Sequence, residues 1–229
     1  MTSRRDFLKT SGAVALSTAM PALTFAHDRR EIHSRPIPGT GDALPLVGLG
    51  NSRVFQDGDL EATRELLELF MSPGGSYVDT IGPSRFTVAS IMQAHELQSR
   101  LFVGTYLGTV QYEAMVAELE RVRAAQGEEM LDLVLTYDFK EILADPGRYL
   151  RLRDTGLTRY IGAARHKREF HEPMMQLMDM GVVDFIQVNY SLLEPEAGET
   201  VLPMAQDKGV AILVNRAFLN GDYFDVVRG

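Results

Sequence analysis

Seven short apolar runs recur along residues 47–214 of this 229-residue chain, with a helical stretch between each pair. The runs are 47–50, 77–80, 101–105, 131–137, 159–163, 185–190 and 210–214. Helical spacing is read over 59–70, 87–97, 112–125, a stretch up to 153, 170–180 and 201–207. In the first of these, Leu60, Leu66, Leu67 and Phe70 share a face, and Asp59 stands where an N-cap carboxylate is expected. The apolar runs are continuous rather than alternating, which marks strands covered on both faces and therefore parallel. A repeat of roughly 25–30 residues matches successive strand–helix–strand units. No break in charge or composition divides them, so the expectation is an α/β fold in one domain, a (β/α)8 TIM-type barrel, rather than a doubly wound sheet.

Ahead of the first run, residues 32–46 hold Pro36, Pro38, Gly39, Gly41 and Pro45. The turn-forming Gly39-Thr40-Gly41-Asp42 between apolar flanks predicts a β-hairpin capping the barrel floor. The far end departs from a full barrel. Seven runs are present, whereas a complete barrel has an eighth strand and helix and typically about 250 residues. A barrel lacking its eighth strand leaves two unpaired edges. The expectation is a fragment, a domain completed by another chain, or a decayed gene product, with self-association through the open edge.

The first residues read as an address. Ser3-Arg4-Arg5-Asp6-Phe7-Leu8-Lys9 is followed by a mild apolar run over 12–23 and small residues around Ala26. That order is a secretory signal, and the paired arginines resemble the twin-arginine export signal. The expected division is a signal over 1–26 and the barrel over 27–229, with a periplasmic or otherwise exported destination. The chain has no cysteine, which excludes disulfides, thiolate metal sites and a cysteine nucleophile. A formal net charge of -8 disfavours a nucleic-acid partner and an anionic membrane surface. No apolar run long enough to span a bilayer follows the signal.

Several motifs then run in order: Arg35-Pro36-Ile37-Pro38-Gly39-Thr40-Gly41, Leu46-Val47-Gly48-Leu49-Gly50, Arg159-Tyr160-Ile161-Gly162, Gln187-Val188-Asn189-Tyr190-Ser191-Leu192 and Val214-Asn215-Arg216. Together with Val201-Leu202-Pro203-Met204-Ala205 and Gly209-Val210-Ala211, they resemble the aldo/keto reductase family from Arg35 onward. The likeness is greatest to its twin-arginine-exported bacterial branch. The resemblance implies an oxidoreductase that moves hydride between NADPH and a small carbonyl compound. It also implies a catalytic set of Asp, Tyr, Lys and His. Lysine, held by aspartate, favours the phenolate of a tyrosine whose pKa is ordinarily ~10, and so tunes it as proton donor. Histidine orients the carbonyl.

Carried over by residue, the aspartate falls on Asp79 and is kept. The tyrosine position is Ser84, the lysine position Tyr106 and the histidine position Tyr137. Toward the cofactor, Gln187 matches the residue that holds the nicotinamide amide. Ala164-Arg165 stand where a hydroxyl residue and Asn or His are usual, and the resemblance counts Asn215 with them as cofactor-binding. The phosphate loop follows the eighth strand in such barrels and has no counterpart here, so tight NADP binding by these residues alone is not expected.

Asp79 is either a functional remnant or a strand-end acceptor for loop amides. Tyr106 and Tyr137 are either substitute proton donors or pocket wall. Gly48-Leu49-Gly50 lacks the third glycine of a dinucleotide turn. His166 and His171 have no carboxylate at matching spacing, so no metal is expected. Met174, Met175, Met178 and Met180 read as core. Two function classes remain: an NADP-dependent reductase with impaired or absent activity, and a non-catalytic pseudoenzyme that binds a small ligand or a partner chain.

Overall fold

The computed structural model describes residues 31–51, 53–108 and 111–228. The export segment lies outside the described residues. Strands β1 (Ser34–Pro36) and β2 (Ala43–Pro45) form the expected antiparallel hairpin. Its turn uses Gly39 at φ +72°, a left-handed conformation that glycine adopts without strain. The Thr40 hydroxyl donates to the Ile37 carbonyl at 3.2 Å across the same turn.

Six parallel strands follow: β3 (Tyr77–Thr80), β4 (Phe102–Leu107), β5 (Leu131–Thr136), β6 (Thr158–Arg165), β7 (Phe185–Asn189) and β8 (Ala211–Asn215). They lie side by side in chain order without permutation. The helices α1 (Arg53–Asp57), α2 (Leu60–Met71), α3 (Ser84–Ala94), α4 (Tyr112–Gln126), α5 (Phe139–Ala144), α6 (Pro146–Asp154), α7 (His171–Asp179), α8 (Val201–Lys208) and α9 (Asp222–Arg228) alternate with them or follow. A doubly wound sheet would permute the order and place helices on both faces. Here Val78, Val103, Val134, Ile161, Ile186 and Val188 face the helical layer, with Met92, Leu119, Leu152 and Leu177 buried against them. Each such side chain, fully buried, contributes roughly 1.5–3 kcal/mol.

The alternate residues face inward. Tyr77, Phe102, Tyr160 and Phe185 meet there, with ring centroids 5.5–6.2 Å apart. Ile37 from the hairpin is 3% exposed and closes this inner layer as the floor. Tyr160 fastens the hairpin by donating to Asp42 Oδ2 at 2.8 Å. This inside–outside division is that of a barrel wall, as the strand pattern predicts.

Three elements differ from expectation. The run at 47–50 is one bridging residue rather than a strand. Leu49 N–H donates to the Tyr77 carbonyl and the Leu49 carbonyl accepts from Asp79 N–H, both at 2.9 Å. Gly48 and Gly50 on either side of it offer no side chain to extend the packing. The stretch up to 153 is two helices, because Pro146 has no N–H to continue the first. Asp145 ends that helix and caps the next, accepting from Arg148 N–H at 3.3 Å. The third is α9, which lies beyond the last predicted strand. Asp59 does cap α2, accepting from Ala62 N–H at 3.0 Å. Met174 and Met178 are core, while Met180 is 48% exposed.

Candidate active-site region at the C-terminal rim

Asp79 points into the barrel two residues beyond Tyr77 on the same strand face. Its carboxylate accepts from the Tyr77 hydroxyl at 3.2 Å and from Gln187 Nε2 at 3.1 Å. Gln187 Oε1 in turn accepts from the Tyr106 hydroxyl, and from Asn215 Nδ2 at 3.4 Å. A single chain of hydrogen bonds thus joins β3, β4, β7 and β8. It contains four of the site residues expected from the sequence: Asp79, Tyr106, Gln187 and Asn215.

The electrostatics of this chain run opposite to a tuned phenol. Burial pushes the Asp79 carboxyl up to about 6, while the hydrogen bonds from Gln187, Tyr77 and Tyr106 act in the other direction. Burial and then the Asp79 charge push the Tyr106 phenol far above the ordinary tyrosine range. The same two influences raise Tyr77. A lysine in place of Tyr106 would lower a neighbouring phenol; a carboxylate without a cation raises it. Among the described residues, no lysine pairs with Asp79.

Tyr77 is the member that sequence reasoning missed. Its signal was available in two glycines. A Cβ at Gly48 would lie 2.5 Å from the Tyr77 ring. One at Gly104 would lie 2.6 Å from the Tyr77 hydroxyl and 3.0 Å from Asp79 Oδ1. Gly104 pairs with Asp79 across the β3–β4 ladder, so its missing side chain is what admits the Tyr77–Asp79 contact.

The remaining expected residues lie apart from the chain. Ser84 is fully buried at the start of α3, where its hydroxyl donates to the Ile81 carbonyl at 2.7 Å and accepts from Ile81 N–H at 2.8 Å. Its neighbour Arg85 donates to the Tyr106 carbonyl at 3.2 Å and pairs with Glu118, anchoring α3 to β4 and α4. Ala164 belongs to the inner apolar layer. The Arg165 guanidinium stands 5.1 Å from the Tyr137 ring centroid and 4.5 Å from that of Phe170. Tyr137 follows β5 at the same rim, outside the Asp79 chain.

A cleft of about 760 Å³ extends from the hairpin along β8 to this rim; Tyr77, Asp79, Gln187, Leu213, Asn215 and Arg216 line it. Several buried polar atoms at the rim have no partner: Arg165 Nε, Asn189 Oδ1 and Asn215 Oδ1. Among the described residues, no group of three His, Asp or Glu side chains is arranged to hold a metal ion. No described helix is long and apolar enough to cross a membrane.

Residues 1–21 match the profile of the TAT (twin-arginine translocation) pathway signal sequence, which supports export by that route. No curated protein matches the chain by sequence. Among solved structures, the chain is similar to the holo form of aldo-keto reductase AKR11C1 from Bacillus halodurans: TM-score 0.66, 14% identity, 80% of this chain and 65% of that one. It is similar to the apo form of Gox0644: TM-score 0.67, 18% identity, 84% of this chain and 70% of that one. It is similar as well to a protein described as a 2,5-diketo-D-gluconic acid reductase B: TM-score 0.61, 20% identity, 85% and 69%. The fold is therefore that of aldo-keto reductase structures, and the chain spans about two thirds of their length.

Proposed function

We propose that this is an exported domain of aldo/keto reductase type whose proton relay is dismantled and whose barrel mouth binds a small ligand without reducing it. The signal is taken to end near Ala26, with the domain acting in the periplasm. One observation carries the reading. Tyr106, at the position read from the sequence as the lysine's, donates a hydrogen bond to Gln187 and faces the Asp79 carboxylate. A phenol so placed is a poorer acid than a free one, and Ser84 faces its own backbone rather than the mouth.

NADP is the cofactor this type of domain implies, and its nicotinamide supplies the hydride when bound. The anchors present do not fit it. Gln187 already accepts twice at Oε1 and donates to Asp79 from Nε2. Ala164 offers no polar side-chain atom, and Arg165 packs on two aromatic rings. Titration of the full chain with NADPH, followed by nucleotide fluorescence, tests this. The expected result is no saturable binding up to millimolar nucleotide. Micromolar binding would contradict it.

A second reading, an NADP-dependent reductase of a small carbonyl compound, is favoured by the unpartnered Oδ1 atoms of Asn189 and Asn215. They are acceptors suited to a carboxamide N–H, and Tyr137 would then be the proton donor. We also propose that the unpaired outer edge of β8 is a surface through which copies of the chain associate.

A further inference from the structure

The cleft beside β8 has an incomplete wall on each side. On one side, the outer edge of β8 pairs with no strand among the described residues. On the other, Leu49 alone bonds to β3, and Gly48 and Gly50 line the cleft on either side of it. Between them the lining is largely apolar, from Ile37 at the hairpin to Leu213 on β8. Its two cations are Arg35 at the floor end and Arg216 at the rim. Neither has an ion-pair partner among the described residues.

The arm that follows β8, residues 218–228, has the complementary character. None of its residues is buried. Phe218, Phe224, Val226 and Val227 are exposed apolar side chains. The rings of Phe218, Tyr223 and Phe224 rest on one another, with centroids 5.1–5.9 Å apart. Asp222 and Asp225 stand three residues apart on α9 and so share a side of it, and neither is ion-paired among the described residues. No arm residue lines the cleft of its own chain. The link between β8 and α9 holds three non-glycine residues at positive φ: Arg216 at 52°, Leu219 at 47° and Asn220 at 59°. A short strained hinge favours exchange of the segment beyond it between identical chains.

We propose that residues 218–228 of a second copy close the cleft, each chain of a pair giving its arm to the other. The apolar side chains of the arm cover the apolar lining, which supplies the driving force. Asp222 and Asp225 meet Arg35 of the receiving copy, and this pairing of opposite charges sets which way the arm lies. The exchange is isologous, so it satisfies both arms and stops at two copies. The proposal rests on the reading that copies associate at the β8 edge, and it names the segment that crosses between them.

Sedimentation velocity of the full chain over a dilution series tests it. The expected result is a monomer–dimer equilibrium with no larger species. Phe224→Ser and Arg35→Glu each weaken the dimer about tenfold or more, and both residues are exposed, so the fold does not depend on them. Leu69→Ser, which removes an equally exposed apolar side chain from α2, leaves the dimer unchanged. Combining Arg35→Glu with Asp222→Lys and Asp225→Lys restores most of the affinity, a coupling that a merely structural role for these residues would not produce. Association that Phe224→Ser leaves intact but Val214→Lys abolishes would show that the β8 edges pair directly; it would overturn the arm exchange and leave the association reading standing. Oligomers that keep growing with concentration would overturn the closed exchange in the same way. A monomer at every concentration would overturn both.

Discussion

Asp79 is a buried carboxylate whose neighbours are neutral: two phenols and an amide. Its folded-state pKa, about 6, lies above the unfolded value of ~3.9. The folded protein therefore holds this proton more tightly than the unfolded chain. Stability from this group is fully present below about pH 4 and is lost as pH rises through about 6. The difference is on the order of 1–3 kcal/mol. Asp79→Asn cannot titrate, so the stability of the variant relative to the parent should rise across that window and level off above it. Denaturant unfolding at successive pH values reads this directly; a parallel pair of curves would contradict it. At Gly104, an alanine Cβ would meet Tyr77 Oη at 2.6 Å, and both partners are packed. Gly104→Ala should destabilise by about 1–3 kcal/mol, whereas Gly50→Ala, with open space around its Cα, should change little. Asp79 was legible in the sequence as a position. What replaced its lysine was legible only as a residue type. That Tyr106 bonds Gln187 from a strand 81 residues away depends on the curvature of the sheet, which no local pattern encodes.

At the scale of elements, continuous apolar runs identified every strand from β3 to β8 within a few residues, because burial on both faces leaves little freedom of composition. The run at 47–50 misled for the same reason. Its apolar residues mark proximity to the wall, but flanking glycines leave only Leu49 in ladder contact. The helix boundary at Asp145–Pro146 is written in the chain as an N-cap and a first-turn proline, but helical spacing resumes beyond it and masks the break. Helix α6 illustrates how the outer layer is held to the wall. Tyr149 is 1% exposed, and its hydroxyl reaches the carbonyls of Val134 at 2.9 Å and Gly162 at 2.7 Å. Tyr149→Phe should cost about 1 kcal/mol by chemical denaturation, since the ring still fills its place and only the buried hydrogen bond is lost. A loss near zero would show that this hydroxyl does not anchor α6 to β5 and β6.

For the whole molecule, the hairpin floor, the inner aromatic layer and the Asp79–Gln187 hydrogen-bond chain are stacked along the inside of one sheet. The described sheet has an unpaired outer edge at β8, where Val214 is 47% exposed, and Leu46, 53% exposed, lines the same cleft. Unpaired edges with exposed apolar side chains recruit further strands. Light scattering of the purified chain should show concentration-dependent association, and a monodisperse, cooperatively melting monomer would contradict it. Whether the domain reduces carbonyls is read most directly by NADPH absorbance in the presence of a panel of small aldehydes and ketones. No carbonyl-dependent oxidation above background is expected from a dismantled relay. Turnover that appears with the parent chain and disappears with Tyr137→Phe would show that the relay has been rebuilt around another tyrosine and that this protein is a working reductase.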